Sequence, residues 1–440
     1  MRVQFIYPSF ERHAQSHPEL LQWVPCDEYL GGAGLGIASI AAVTPPEVDV
    51  AFHDDRVNPF PVDQVSKGAA HDADLYAFSF FTPAATRAFA LSDALRAQGK
   101  KTIAGGIFPT MMPEETAAHF DAVVIGEGEG VWAEVLEDTK NGALKPRYRA
   151  TEPFDLSKLP PPRVDLYVEN ESPHLKPDDY PLQLSRGCPL SCDACVVPGT
   201  LGRGLRVVPR DTVAQELANL ARLGKRAALT EDTSFFFFSG ARRHFREFLA
   251  VLRDDPRPSH DKISYVGISA PMVLSLDPSL LRELIGSGVD RFYLVGGFDP
   301  ITRAAFGWGD PKALDKAERT IARCHEFGID PYVSFLVGND GDDEGVFDRM
   351  LSFCQRTKLD KCEFAVFTPY PNTPAWHRLV SEDRILHRTW KKYNDANVVF
   401  QPKQMSVERL QEGYLRLWRE FYSGRNEIAE REHHARTVQF

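Results

Sequence analysis

Short apolar runs alternate with amphipathic segments along almost the whole chain, and this alternation restricts the fold more than any other feature. In residues 1 to about 140, VQFIYP, VDVAFHD, DLYAFSFF, KKTIAGG and FDAVVIGEGEG read as strands. GGAGLGIASIAAV is a glycine-rich start to a helix, TPAATRAFALSDALRAQG is a second helix, and VWAEVLED begins a third. Strand and helix alternating at this pitch predict a doubly wound, Rossmann-like α/β domain with a parallel sheet. Ligands of such sheets sit beyond the carboxyl ends of the strands. Ser79, Thr82, Gly105, Gly106, Gly126 and Gly128 fall on that rim. Each also has a plainer reading, because glycine turns the chain after a strand and Ser or Thr caps the next helix. GGAGLG is loosely similar to a dinucleotide fingerprint but lacks the preceding strand.

A second β/α series follows a break. TEPFDLSKLPPPRVDLYVENESPHLKPDDYP holds seven prolines and predicts an extended connection over the surface. Beyond it, YPLQLSRGC reads as a strand that ends at Arg186-Gly187. RAALTED, ISYVGISA, RFYLVGG, PYVSFLVG and KCEFAVFTPY are further strands, separated by helices such as RDTVAQELANLARLG and DPSLLRELIGSG. About six such units without a dinucleotide motif predict a full or partial (β/α)6 barrel, whose active groups gather at the strands' carboxyl ends. The expected divisions are 1–145, a linker over 146–180, a barrel over 181–375 and a helical segment over 376–440.

Composition narrows the function. With 440 residues, 43% of them hydrophobic, the chain can bury full-sized cores. No run of about eighteen apolar residues exists, so no membrane span is expected. MRVQFIYPSF reads as a strand and not as a signal peptide. A net charge of −10 argues against a nucleic-acid partner. Seven cysteines, an odd number, argue against a disulfide scaffold and fit a reducing, cytoplasmic setting. Three of them, Cys188, Cys192 and Cys195, share the stretch RGCPLSCDACVVPG. Thiolates are soft ligands suited to iron–sulfur clusters. A cubane normally takes four cysteines, so a set of three leaves one iron open to a non-protein ligand. The alternative is a zinc site completed by a distant histidine.

SRGCPLSCDAC resembles the C-x3-C-x2-C signature of radical S-adenosylmethionine (SAM) enzymes. AGGIFPTMMPEETAAHFDAVVIGEGEG and AFSFFT resemble the cobalamin-binding domain that precedes the core of many of them. FTPYPNTPAWHRL and the segment from Arg388 to Ser423 are similar to the C-terminal part of the same subgroup. The resemblance implies a [4Fe-4S] cluster on the three cysteines, whose open iron chelates SAM. It implies SAM contacts from Glu231, Asp232, Ser269 and Gly296, although turn carboxylates and a capping serine explain the first three equally well. It implies cobalamin held by Ser79, Thr82, Gly105, Gly106, Gly126, Glu127 and Gly128. The implied activity is methyl transfer to an unactivated carbon of a small molecule. SAM would then both methylate cobalt and yield a 5′-deoxyadenosyl radical, with electrons from a reductase or flavodoxin-type donor. Radical chemistry without methyl transfer, with or without bound cobalamin, is the second reading, and a non-enzymatic corrinoid or Fe–S sensor is the third.

Four departures from the family pattern bear on this. No Asp-x-His-x-x-Gly offers a lower axial histidine, Phe108 stands where histidine is common, and Ala194 replaces an aromatic before the third cysteine. Also, FYLVGGFD lacks the glutamate of Gly-Ile-Glu. Tyr293, Tyr332 and Tyr370 lie on or beside barrel strands, either lining a substrate cavity or packing with satisfied hydroxyls.

Overall fold

In a computed structural model, residues 1–23, 33–66, 68, 71–173, 175–190, 192–229, 241–268, 270–295 and 311–423 are described. Six strands make the first sheet: β1 (Arg2–Tyr7), β2 (Asp49–Asp54), β3 (Leu75–Ser79), β4 (Thr102–Gly105), β5 (Ala122–Ile125) and β6 (Arg147–Arg149). Their order is β2-β1-β3-β4-β5-β6, and every pairing is parallel. The order reverses between β1 and β3, which is where a doubly wound sheet opens a crevice. Successive residues of a strand point to opposite faces. In β3, Leu75 and Ala77 therefore enter one core while Tyr76 and Phe78 enter another.

The second sheet is built from β7 (Asp179–Pro181), β10 (Arg226–Leu229), β11 (Ile263–Ile268), β12 (Arg291–Val295), β13 (Asp330–Val337) and β14 (Lys361–Val366). Its order is β14-β13-β12-β11-β10-β7, all parallel, forming a curled half-barrel. Between β7 and β10 lies a short antiparallel hairpin of β8 (Ser185–Arg186) and β9 (Arg206–Val207). The strand expected at YPLQLSRGC is thus two strands. Its first part pairs into the half-barrel, and its second turns away to carry the cysteine loop.

The proline-rich stretch is more ordered than an extended surface connection. Arg147–Arg149 joins the first sheet as β6, and Leu156, Leu159, Val164, Leu166 and Tyr167 are buried. The Tyr167 hydroxyl donates to the Gly34 carbonyl at 2.8 Å and accepts from the Ala38 amide at 2.9 Å. It thereby ties the connection to the helix Leu35–Ala42 of the first domain.

The C-terminal helix Val407–Tyr422 packs against the helix Val346–Arg356 and against β14. The segment before it crosses to the first sheet. Trp376, Trp390 and Tyr393 join Phe80, Phe89, Phe108 and Phe120 in one buried aromatic cluster. Among the described residues no helix is long and apolar enough to cross a membrane.

Candidate functional site

The cysteine loop is fixed by glycines at its base. Gly187 has φ +85°, and a Cβ there would lie 2.2 Å from the Gly204 carbonyl oxygen. Only glycine permits this approach, which lets the Cys188 amide donate to the Gly202 carbonyl at 3.0 Å. Cys188 and Cys192 are buried, Cys195 is half-buried, and none of the three is in a disulfide. The Cys195 amide donates back to the Cys192 carbonyl at 3.4 Å, closing the turn between them. Ala194 is 1% exposed and lies within the main core, so an aromatic ring there would have no room without a shift of its neighbours.

Two other parts of the chain hold this loop. The Ala375 amide donates to the Asp193 carbonyl at 2.8 Å, and Arg378 lies 3.7 Å from the Asp193 carboxylate. On the other side, Gly199 packs on Met111, which ends the helix Ile107–Met111 after β4. The Asn372 side chain donates to the Met111 carbonyl at 2.8 Å. The loop therefore sits between the first sheet's rim and the segment after β14.

That rim gathers most of the residues expected on it. Ser79 pairs with Gly105 in register. A Cβ on Gly106, where φ is +95°, would lie 2.8 Å from Ser79 Oγ, and one on Gly36 would lie 3.1 Å from it. The Gly126 amide donates to Thr110 Oγ1 at 3.0 Å, while a Cβ on Gly128 would meet Ile40 at 3.0 Å. Ser79, Gly105, Gly106, Gly126 and Gly128 are thus drawn against the helix Leu35–Ala42 and the helix Ile107–Met111. No described atom lies within 4 Å of where a Cβ would stand on Gly34 or Gly126. Neither glycine carries a side chain that would stand between the rim and a large flat ligand laid against it. Thr82 is 2% exposed and begins the turn Thr82–Ala84 that follows β3.

Glu127 departs from the expectation. Its carboxylate accepts from the Phe154 amide at 3.0 Å, from Arg186 Nη1 at 2.9 Å and from Arg206 Nη1 at 2.8 Å. Both oxygens are occupied by protein donors, so Glu127 faces the barrel domain and not the rim. Glu129 pairs with Arg186 Nη2 at 2.8 Å. Burial works against the charge on Arg186, but Glu129 and Glu127 outweigh it and raise its pKa. Glu129, Arg186 and Arg206 carry no local pattern that marks them as partners, although the charges of GEGEG and SRGC stand in the sequence.

Glu231, Asp232, Ser269 and Gly296 lie outside the described residues. Among the described residues no three His, Cys, Asp or Glu side chains are grouped as ligands of a single ion. Cys188, Cys192 and Cys195 share one tight loop, and in a cubane each thiolate would bind a different iron.

Inside the half-barrel, Tyr293 and Tyr332 both donate to Glu363, the latter at 3.0 Å. Tyr265 packs against Tyr293 with its ring tilted by 57° and 5.9 Å between ring centroids. Above them Tyr370 donates to both oxygens of Asp395 at 2.9 Å. Burial pushes the Asp395 carboxyl up to about 6, with Glu363 adding to the rise while Tyr370 and Thr368 oppose it. The hydroxyls of Tyr293, Tyr332 and Tyr370 are therefore satisfied, and together with the two carboxylates they give the inner face a polar character.

Comparison with known proteins agrees with this architecture. Residues 32–136 match the B12 binding domain, residues 182–354 the radical SAM superfamily, and residues 373–438 a domain of unknown function. The chain is 28% identical over 396 residues to the bacteriochlorophyllide d C-12(1)-methyltransferase of Chlorobaculum tepidum, covering 89% of this chain and 82% of that one. It is 25% identical to the C-8(2)-methyltransferase of the same organism, covering 88% and 85%. Among solved structures, the radical SAM methyltransferase TsrM of Kitasatospora setae, with cobalamin and a [4Fe-4S] cluster bound, superposes with a TM-score of 0.61. The identity is 16%, over 87% of this chain and 78% of TsrM.

Proposed function

We propose that this chain, a radical SAM enzyme whose core follows a B12-binding domain, methylates an unactivated carbon of a small molecule or natural-product intermediate. The observation that carries the reading is the junction of two loops. The glycine-rich turn after β5 and the cysteine loop after β8 are held together through Arg186. Any group held by one loop is then a neighbour of any group held by the other.

In this reading Cys188, Cys192 and Cys195 hold the cluster. Glu231, Asp232, Ser269 and Gly296 contact SAM, and Ser79, Gly105, Gly106, Gly126 and Gly128 face the corrinoid. When bound, these cofactors supply the radical and the transferable methyl group. The chain's own task is to place them and to keep water out. Gly187 sets the cysteine loop, Asp193 anchors it to the segment after β14, and the inner face bearing Tyr293, Tyr332, Glu363 and Asp395 receives the substrate. A reductase or flavodoxin-type donor in a reducing cytoplasm would keep the cluster active.

Metal analysis of anaerobically purified protein tests the reading. About four irons and one cobalt per chain are expected. Zinc in place of iron would refute it, and iron without cobalt would favour radical chemistry without methyl transfer. A methylated product from SAM completes the test.

A further inference from the structure

We propose that Glu127, Glu129, Arg186 and Arg206 form a positioning device that sets the path along which the methyl group of SAM reaches the corrinoid. The inference rests on the function proposed above. Two glutamates from the turn after β5 meet two arginines from the β8–β9 hairpin, so the charges balance. Arg186, Glu127 and Glu129 have side chains only 6%, 6% and 5% exposed, and Arg206 is 22% exposed.

Every edge of the Arg186 fork is used. Nη1 reaches Glu127, Nη2 reaches Glu129, and Nε donates to Gln183 Oε1 at 2.8 Å. A planar guanidinium bound on three edges fixes direction as well as distance. Arg206 adds bonds to the Phe154 carbonyl at 2.9 Å and to the Leu201 carbonyl at 3.0 Å. Burying such a network stabilises little compared with an apolar contact, so its distinctive effect here is directional. One residue, Gly187, separates Arg186 from Cys188. Glu127 itself lies between Gly126 and Gly128 on the rim. A lateral slip of either loop would therefore drag the other or break the quartet. Misplacement of reacting groups by about 1 Å can cost on the order of a hundredfold in rate.

In the step concerned, the S–CH3 bond of SAM breaks, the methyl group passes to the reduced corrinoid, and S-adenosylhomocysteine remains. It can be followed with SAM alone and a chemical reductant, without the substrate. Arg186→Lys keeps the charge but loses the fork. Glu129→Gln, further from the cysteines, is the milder second variant. In both, S-adenosylhomocysteine formation is expected to fall by about tenfold or more, while iron content and SAM affinity stay within about twofold of wild type. In cofactor-free protein, hydrogen exchange should quicken together at 126–129 and 184–188. Unchanged S-adenosylhomocysteine formation, loss of iron or SAM affinity, or exchange that quickens in one loop only would each overturn the proposal. A wild-type chain that forms no S-adenosylhomocysteine would instead overturn the methyltransferase reading.

Discussion

The cysteine loop depends on one glycine more than on any neighbouring side chain. Alanine at 187 would adopt φ +85° at a cost of about 1–2 kcal/mol, and its Cβ would still collide with the Gly204 carbonyl. Gly187→Ala is expected to lose most of its cluster on reconstitution, as Cys188→Ala, Cys192→Ala and Cys195→Ala would. A Gly187→Ala protein with full cluster absorbance would contradict the role given to that turn. Asp395 offers a second single-residue test. Burial pushes its carboxyl up to about 6, above the ordinary aspartate value of 3.8. Between about pH 4 and pH 6 the folded state holds this proton more tightly than the unfolded state, so the group's contribution to stability falls as pH rises through that window. The penalty is fully present above the folded value. Asp395 also sits at φ +62°, a conformation asparagine tolerates. Asp395→Asn should therefore raise the melting temperature at pH 7.5 and flatten the slope between pH 4 and 6. An equal slope in the two proteins would disprove the assignment. Residues of both kinds were unequally legible in the sequence. The cysteines announce themselves by spacing, because a ligand set must be local. The resemblance puts Glu127 among the cobalamin contacts, whereas its partners in the structure lie 59 and 79 positions away, a distance that no local pattern encodes.

Elements were legible where burial is two-sided. β1, β3, β5 and β13 are nearly continuous apolar runs, as parallel strands covered on both faces must be. β6, β8 and β9 are only two or three residues long and carry charged side chains. They are strands because of what pairs with them, so RYR and SR gave no periodic signal. The C-terminal helix illustrates packing that neither propensity nor periodicity reports. A Cβ on Gly413 would lie 2.0–2.4 Å from ring atoms of Phe347, which stands in the helix Val346–Arg356. Alanine improves helix propensity by about 1 kcal/mol, yet overpacking of this kind costs about 1–3 kcal/mol. The collision is with the body of a buried ring, so the second effect should win. Gly413→Ala is expected to lower the urea midpoint without changing the slope. A raised midpoint would mean that the two helices separate at little cost.

At the scale of the whole molecule, the C-terminal segment binds the two sheets into one body. Phe108 is fully buried. It stacks on Phe80 at 5.9 Å and meets Trp390 edge-on at 5.4 Å. Phe108 therefore belongs to this seam and not to the open face of the rim. The Trp390 indole N–H donates to Glu115 of the first domain, and its ring packs on Trp376 and Tyr393. Removing a buried tryptophan costs about 3–5 kcal/mol. Here the loss should fall on both partners of the seam, because the first sheet's outer face has no other aromatic cover from the segment after β14 than Trp376, Trp390 and Tyr393 among the described residues. Trp390→Ala is therefore expected to quicken hydrogen exchange at Ile103, Ala104 and Val123 of the first sheet as well as at Tyr393 and Val399. Faster exchange confined to residues 376–400 would show that the segment is an appendage, and that the first domain keeps its geometry toward the cysteine loop through the Arg186 junction and the contacts of Met111 with Gly199 and Asn372.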